Sequence, residues 1–373
     1  MRPSTNLALT ALLGAALASP STAKFDPYSL NGGLVSAVAG KDYVIICSDT
    51  RLTDGGYQIH CRSYLDGRLW SATGAPVFLD NAPGEVGDGN KGGERLFALD
   101  GSLVIPSKES RLPALPTSDD ERTGVRPGSG RTLANPFGLT LIGSAGCASD
   151  CEELKRTVRT ELTDRSSWAS GMSASLSSSS SQATATTVAT LLLHTLYSRR
   201  PFPYYAFCVL AGLDAESGEG QVHVYDAIGS HERVAVACAG TPGREMLQPV
   251  LDRMFASPVA SGTAAEGGGD GGHAREAGNP ELVRDGSALG ASGQRVGSVT
   301  LRPPVGTCVG CGPDEAVALL VKAYRSVSER EIGVGDDLVI CVIRRGINAD
   351  ANLGGSADEP GSIQVLRIPL KKH

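Results

Sequence analysis

Asn31-Gly32-Gly33-Leu34-Val35-Ser36-Ala37-Val38-Ala39-Gly40-Lys41-Asp42-Tyr43-Val44-Ile45-Ile46-Cys47-Ser48-Asp49-Thr50-Arg51 is the stretch from which the fold of this chain is read. Two glycines open it. Leu34 to Ala39 and Tyr43 to Ser48 are apolar runs of strand length, and Gly40-Lys41-Asp42 between them is a hairpin turn. Ser48-Asp49-Thr50-Arg51 closes the second run. Taken alone, such a motif at a strand end is a satisfied turn, with Asp49 and Arg51 as a buried ion pair or a turn anchor.

Around this hairpin the chain alternates between ordered pattern and none. Tyr57 to Cys61 reads as a short strand. Residues 66–135 then lose all periodicity and are rich in Gly, Pro, Asp and Ser, so they read as an insertion. Order returns with a strand at Phe137 to Ile142. Ser149-Asp150-Cys151-Glu152 has capping-box spacing, and Leu154, Val158 and Leu162 keep one helical face after it. A serine run precedes a second helix, with Val188, Leu191, Leu192, Thr195 and Leu196 in phase, which stops at Arg199-Arg200-Pro201. Strands follow at Tyr204 to Leu213, Gln221 to Tyr225 and Arg233 to Ala239. A third helix spans about Gly243 to Phe255. Residues 257–297, glycine-rich at their centre, read as a second insertion. Pro313-Asp314-Glu315 opens a fourth helix, and Leu338 to Ile343 and Ile363 to Ile368 close the chain as strands. Helices come in pairs and strands in runs. That excludes an alternating parallel α/β sheet and predicts an α+β fold with two sheets packed between helix layers.

Composition narrows function by exclusion. The chain has 373 residues and a formal net charge of −6, with no basic stripe, so no nucleic-acid partner is expected. No apolar run reaches the ~20 residues of a membrane span. Nine cysteines are scattered, several inside strand-like runs, and read as mostly free thiols of a reducing compartment. Cys147 and Cys151 fall at helical spacing, which suits packing. Cys308-Val309-Gly310-Cys311 is a single CxxC without a second pair of ligands, so no metal is expected, and no phosphate loop or cofactor motif is present. Gly143-Ser144-Ala145-Gly146 lacks the spacing of a nucleophile elbow; its small residues suit close packing before a helix. Met1-Arg2, an apolar Leu7 to Leu17 and Ala18-Ser19-Pro20 make residues 1–24 read as a leader, either a short secretory signal or a propeptide.

Four blocks carry a family resemblance. They run from Phe25-Asp26-Pro27-Tyr28 through Ser48-Asp49-Thr50-Arg51-Leu52, from Ile142 through Cys151, from Leu196-Tyr197-Ser198-Arg199-Arg200-Pro201-Phe202-Pro203-Tyr204-Tyr205 on to Gly229-Ser230, and over Met246 to Asp252, with Gly335-Asp336-Asp337-Leu338 as a late echo. Together they resemble the proteasome beta subunits, and among these the non-catalytic kind at the sixth place of the beta ring. The resemblance implies a four-layer αββα sandwich of the N-terminal nucleophile hydrolase type. It implies a single domain over 25–373, interrupted by the insertions, and reads residues 1–24 as a propeptide. It implies neighbours in the same and opposite beta rings and in the alpha ring, and a place in cytoplasm and nucleus.

The same resemblance implies chemical silence. In active members a threonine hydroxyl attacks while its own α-amine, with a pKa of about 8, takes the proton. That threonine falls on Gly33. The supporting aspartate falls on Asp49, and the late Asp and the hydroxyl after it fall on Glu331 and Val334. The lysine is expected about sixteen residues past Asp49, near Leu65 and Asp66, where none stands. Loss of the nucleophile also excludes self-cleavage at Gly33, which places any trimming upstream, at about Phe25. Two rivals remain: an active hydrolase of the same fold using another nucleophile such as Ser36, and a secreted globular protein with oxidised cysteines.

Overall fold

The computed structural model describes residues 30–54, 58–65, 67–73, 96–98, 100–103, 131–133, 135–172, 183–240, 243–255, 257–258, 285–289, 295–298, 301–302, 307–346 and 361–371. The expected leader, and most of both expected insertions, lie outside them. In chain order the strands begin with β1 (Val35–Ala39), β2 (Tyr43–Asp49), β3 (Leu52–Thr53), β4 (Ile59–Cys61), β5 (Leu69–Ser71), β6 (Arg131–Leu133) and β7 (Leu141–Gly146). Helices α1 (Ala148–Met172) and α2 (Ala185–Ser198) come next, then β8 (Ala206–Leu213), β9 (Gly220–Tyr225), β10 (His231–Arg233) and β11 (Val236–Ala239). The chain ends with α3 (Gly243–Met254), the short β12 (Ser257–Pro258), β13 (Asp285–Leu289), β14 (Arg295–Ser298) and β15 (Leu301–Arg302), then α4 (Pro313–Ser328), β16 (Asp337–Arg344) and β17 (Gly361–Pro369).

Two main sheets carry the α+β fold. One has six strands in the order β11-β1-β2-β16-β17-β6, and the other five in the order β10-β9-β8-β7-β5. Every pairing within them is antiparallel. The β1–β2 hairpin pairs Val35 with Ser48 and Ala39 with Val44, as the opening motif predicts.

Side-chain alternation along β1 explains why it is apolar but for Ser36, whose hydroxyl is hydrogen-bonded inside. Leu34 and Val38 join a cluster with Leu247 and Leu251 of α3 and Val317, Leu320 and Val321 of α4. Val35, Ala37 and Ala39 point the other way, into a cluster with Leu141, Val209, Ala211 and Val222 of the second sheet. A strand covered on both faces has no solvent side on which to place polar residues. A third cluster joins Ile142, Cys208 and Leu210 of the second sheet to Leu154 and Val158 of α1 and Val188, Leu191 and Leu192 of α2. Each such buried Val, Leu or Ile contributes about 1.5–3 kcal/mol relative to exposure.

The structure corrects several boundaries. Leu69–Ser71 pairs with β7, and Trp70, Phe97, Ser102 and Leu103 are buried and bridged, so residues within 66–135 belong to the core. Their spacing is too broken to show a period. The strand expected at Phe137 to Ile142 lies at Leu141–Gly146. The single strand expected over Arg233 to Ala239 is two strands: β10 pairs with β9 in one sheet and β11 with β1 in the other, so the chain crosses between sheets at Val234-Ala235. Glu152 does not close a capping box; its carboxylate pairs with Lys155 at 2.9 Å. The first N–H of α1 is held from outside the helix, by Asn31.

Candidate active site

Gly33 enters the sheet at φ +92°, a left-handed conformation that a side chain rarely adopts. Space is the harder constraint. A Cβ on Gly33 would lie 0.8 Å from Nη1 of Arg68 and 1.8 Å from its Cζ, so the guanidinium occupies the volume of the missing side chain. Gly240, after β11, is also packed close: a Cβ there would stand 2.3 Å from the Gly33 carbonyl oxygen.

Asp49 ends β2 beneath this point and is fully buried. Its Oδ1 accepts from the N–H of Leu34 at 2.9 Å and from Arg68 Nη1 at 3.5 Å, and its Oδ2 accepts from the N–H of Gly335 at 3.2 Å and of Arg51 at 3.4 Å. Burial pushes its carboxyl upward, against the Arg68 cation and the backbone donors. The arrangement is a carboxylate–cation pair beside a residue with no nucleophilic atom.

The cation was missed from the sequence because a fixed count from Asp49 stops at Leu65 and Asp66. The cation beside Asp49 in the structure is Arg68, just past that count. A basic residue within three positions of the expected lysine was the available signal. Arg68 is 2% exposed and also donates to the carbonyls of Arg51 at 2.6 Å and Asn31 at 3.4 Å.

The Arg51 guanidinium does not pair with Asp49; only the Arg51 N–H reaches that carboxylate, as a turn anchor. Arg51 Nε donates to Asp336 Oδ2 at 2.9 Å, and its other nitrogens reach the carbonyls of Ile332 and Lys371. Arg62 holds the second oxygen of Asp336 at 2.7 Å. Glu331, expected in place of the late aspartate, turns its Oε1 to the N–H of Gly333 at 3.0 Å. Val334 is fully buried in the cluster shared with α3 and α4. The rival nucleophile Ser36 is buried in mid-strand, 3.0 Å from Cys47 Sγ and 3.1 Å from the Tyr324 hydroxyl, with neighbouring strands on both sides. No base faces it: burial holds the Tyr324 phenol far above its ordinary range and the Cys47 thiol at about 11, so both stay protonated.

Asn31 is the second residue that sequence reading overlooked. Its Oδ1 accepts from the N–H of Ala148 at 2.9 Å, its Nδ2 donates to the Thr53 carbonyl at 2.9 Å, and its own N–H reaches the Gly146 carbonyl at 2.9 Å. It ties the segment before Gly33 to α1 and β3. Among the described residues no cluster of His, Cys, Asp and Glu suits a metal ion, and no helix is long and apolar enough to cross a membrane.

Residues 139–266, which hold α1 to α3 and β7 to β11, match the Proteasome family, described as proteasome subunit. Proteasome subunit beta type-1 of Dictyostelium discoideum is 28% identical over 237 residues, 63% of this chain and 67% of that protein. The Arabidopsis thaliana protein of the same name is 25% identical over 323 residues, 86% of this chain and 92% of that one. The chain is thus similar to proteasome subunits, over residues 139–266 by the family and over most of its length by these relatives. Over a shorter span, 157 residues covering 42% of this chain and 52% of the relative, identity to the proteasome subunit beta type-1 of Oryza sativa subsp. japonica is 35%. The hairpin β1–β2, Asp49 and Arg68 lie upstream of the matched residues 139–266, and Gly33 among them carries no hydroxyl.

Proposed function

We propose that this chain is a non-catalytic structural beta subunit of the 20S proteasome core particle, of the beta type-1 kind. It packs against beta neighbours in its own and the opposite ring and against the alpha ring. It lines the proteolytic chamber in which other subunits cut proteins, in cytoplasm and nucleus. The observation that carries the reading is Gly33: the nucleophile's place in the family frame holds no side-chain oxygen and is filled by the Arg68 guanidinium. The three apolar clusters, with each helix pair on its own sheet and both sheets on a shared core, support a four-layer αββα sandwich of the N-terminal nucleophile hydrolase type. A single domain over 25–373 behind a leader of residues 1–24 is part of the same proposal. Glu331 and Val334 belong to it as the replaced positions, and Asp49 as the retained one.

Size exclusion of native lysate followed by peptide mapping of the amino terminus tests this. The chain is expected in a very large particle with other proteasome subunits, with its first residue upstream of Asn31. An electrophilic threonine-directed inhibitor is expected to label neighbours and leave this chain unmodified. Elution as a small particle, or covalent label at residue 33, would overturn the reading.

A further inference from the structure

We propose that Arg68 is a built-in plug of the former nucleophile position, so that this chain is closed to covalent catalysis twice, once by the glycine and once by the arginine. The inference rests on reading Gly33 as the nucleophile's place. It goes further by making the silence a property of two residues that depend on each other.

The clash at Gly33 involves the far end of a flexible side chain, which ordinarily moves aside at small cost. Here it cannot do so freely. The Arg68 backbone is fixed, because its carbonyl accepts from the N–H of Ser144 at 2.8 Å and its N–H donates to the Leu65 carbonyl at 2.9 Å. Its guanidinium is fixed too, by the carbonyls of Arg51 and Asn31 and by Asp49, and it lies 5.7 Å from the centroid of the Tyr64 ring. Swinging it away strips a fully buried carboxylate of its cation and leaves that charge uncompensated. Gly33 is itself hemmed in by Gly240, packed so close that a Cβ on it would stand 2.3 Å from the Gly33 carbonyl oxygen. A lysine ammonium is a compact charge on a thin stem, whereas a guanidinium is a planar fork with several donors. The fork satisfies three acceptors at once, and the volume it needs to do so is that of a side chain at residue 33.

A double-mutant cycle separates a plug from a glycine kept only for its backbone angle. Thermal melting of the full chain, in its native particle where it co-purifies with one, is measured for Gly33→Ala and Gly33→Thr in the Arg68 chain and in an Arg68→Lys chain. Strain at the positive φ is common to both backgrounds and cancels in the comparison. A plug predicts a large loss of melting temperature from either substitution beside Arg68, and a loss at most half as large beside lysine. Equal losses in both backgrounds would overturn it, while leaving the particle assignment intact because that is read from co-purification. Should Arg68→Lys not fold, Arg68→Ala is supplied with millimolar methylguanidinium. The ion is expected to raise the melting temperature when residue 33 is Gly and to lose that effect when it is Ala; rescue indifferent to residue 33 sinks the proposal.

Discussion

Asp336 adopts φ +65°, in a region where Asn and Asp are the side chains best tolerated outside glycine, and its carboxylate is shared by Arg51 and Arg62. Burial raises this carboxyl, but the two guanidinium groups outweigh it and hold it below the usual range. A carboxyl so depressed stabilises the fold at all pH above its unfolded value and loses that contribution only as pH falls through the folded one. Asp336→Asn keeps the backbone preference and removes the charge, which strands the fully buried Arg51. We expect a cost of about 3 kcal/mol in a urea titration at neutral pH, in line with breaking a buried ion pair. His223 behaves in the opposite chemical sense. It is 8% exposed, neither ring nitrogen has a partner, and burial together with His231 and Arg233 lowers it to about 4. Its neutral form is the folded form, so the associated stability is whole above about pH 6.5 and drains away as pH falls toward the folded value, by about 3 kcal/mol in all. His223→Phe is expected to flatten stability between pH 7 and pH 5, ~2 units of acidification, without loss at neutral pH, because an unpaired polar group has been removed. A variant whose midpoint still falls as steeply as the parent's would refute this.

At the scale of elements, α1 is positioned by a residue far from it in sequence. Asn31 caps Ala148 while its amide also bonds Thr53, so one side chain joins the entry to β1, the end of β3 and the helix that covers the second sheet. Asn31→Ala removes both bonds and is expected to cost about 1–2 kcal/mol, read by chemical denaturation. Hydrogen exchange should localise the loss to the first turn of α1, and an undisturbed first turn would refute the capping role. The crossing between β10 and β11 shows the same dependence on partners. Arg233 to Ala239 reads as one strand in sequence, yet Arg233 ends β10 (His231–Arg233) and Val236–Ala239 forms β11. Only their separate pairings, with Tyr225 to His223 and with Val38 to Val35, divide them between sheets.

For the whole molecule, the cysteines offer a test of the compartment. All nine are free thiols; Cys61, Cys308 and Cys311 are partly exposed and the other six are buried. Burial pushes Cys208 to about 12 and raises Cys308 and Cys311 above their ordinary value. Native alkylation with iodoacetamide should reach only the three partly exposed thiols, and all nine after denaturation, with melting indifferent to reductant. A purified chain whose cysteines resist alkylation in denaturant until reduced would favour the secreted reading over the subunit.

Periodicity and punctuation alone determined the β1–β2 hairpin, the four described helices and the pairing of helices with runs of strands, because those signals are local: Val188 and Leu192 share a face wherever the helix sits. The assignment of Gly33 and Asp49 to a nucleophile's place came from the family resemblance and belongs to the proposal; the structure shows that the two lie together at the hairpin's open end, the Leu34 N–H donating to Asp49. The partner of Asp49, the true acceptor of Arg51, the cap on α1 and the core membership of Trp70 were decided by tertiary structure. Each joins residues whose separation in the chain sets no distance in space, and a carboxylate chooses its cation by where the backbone delivers it, after the sheets have packed.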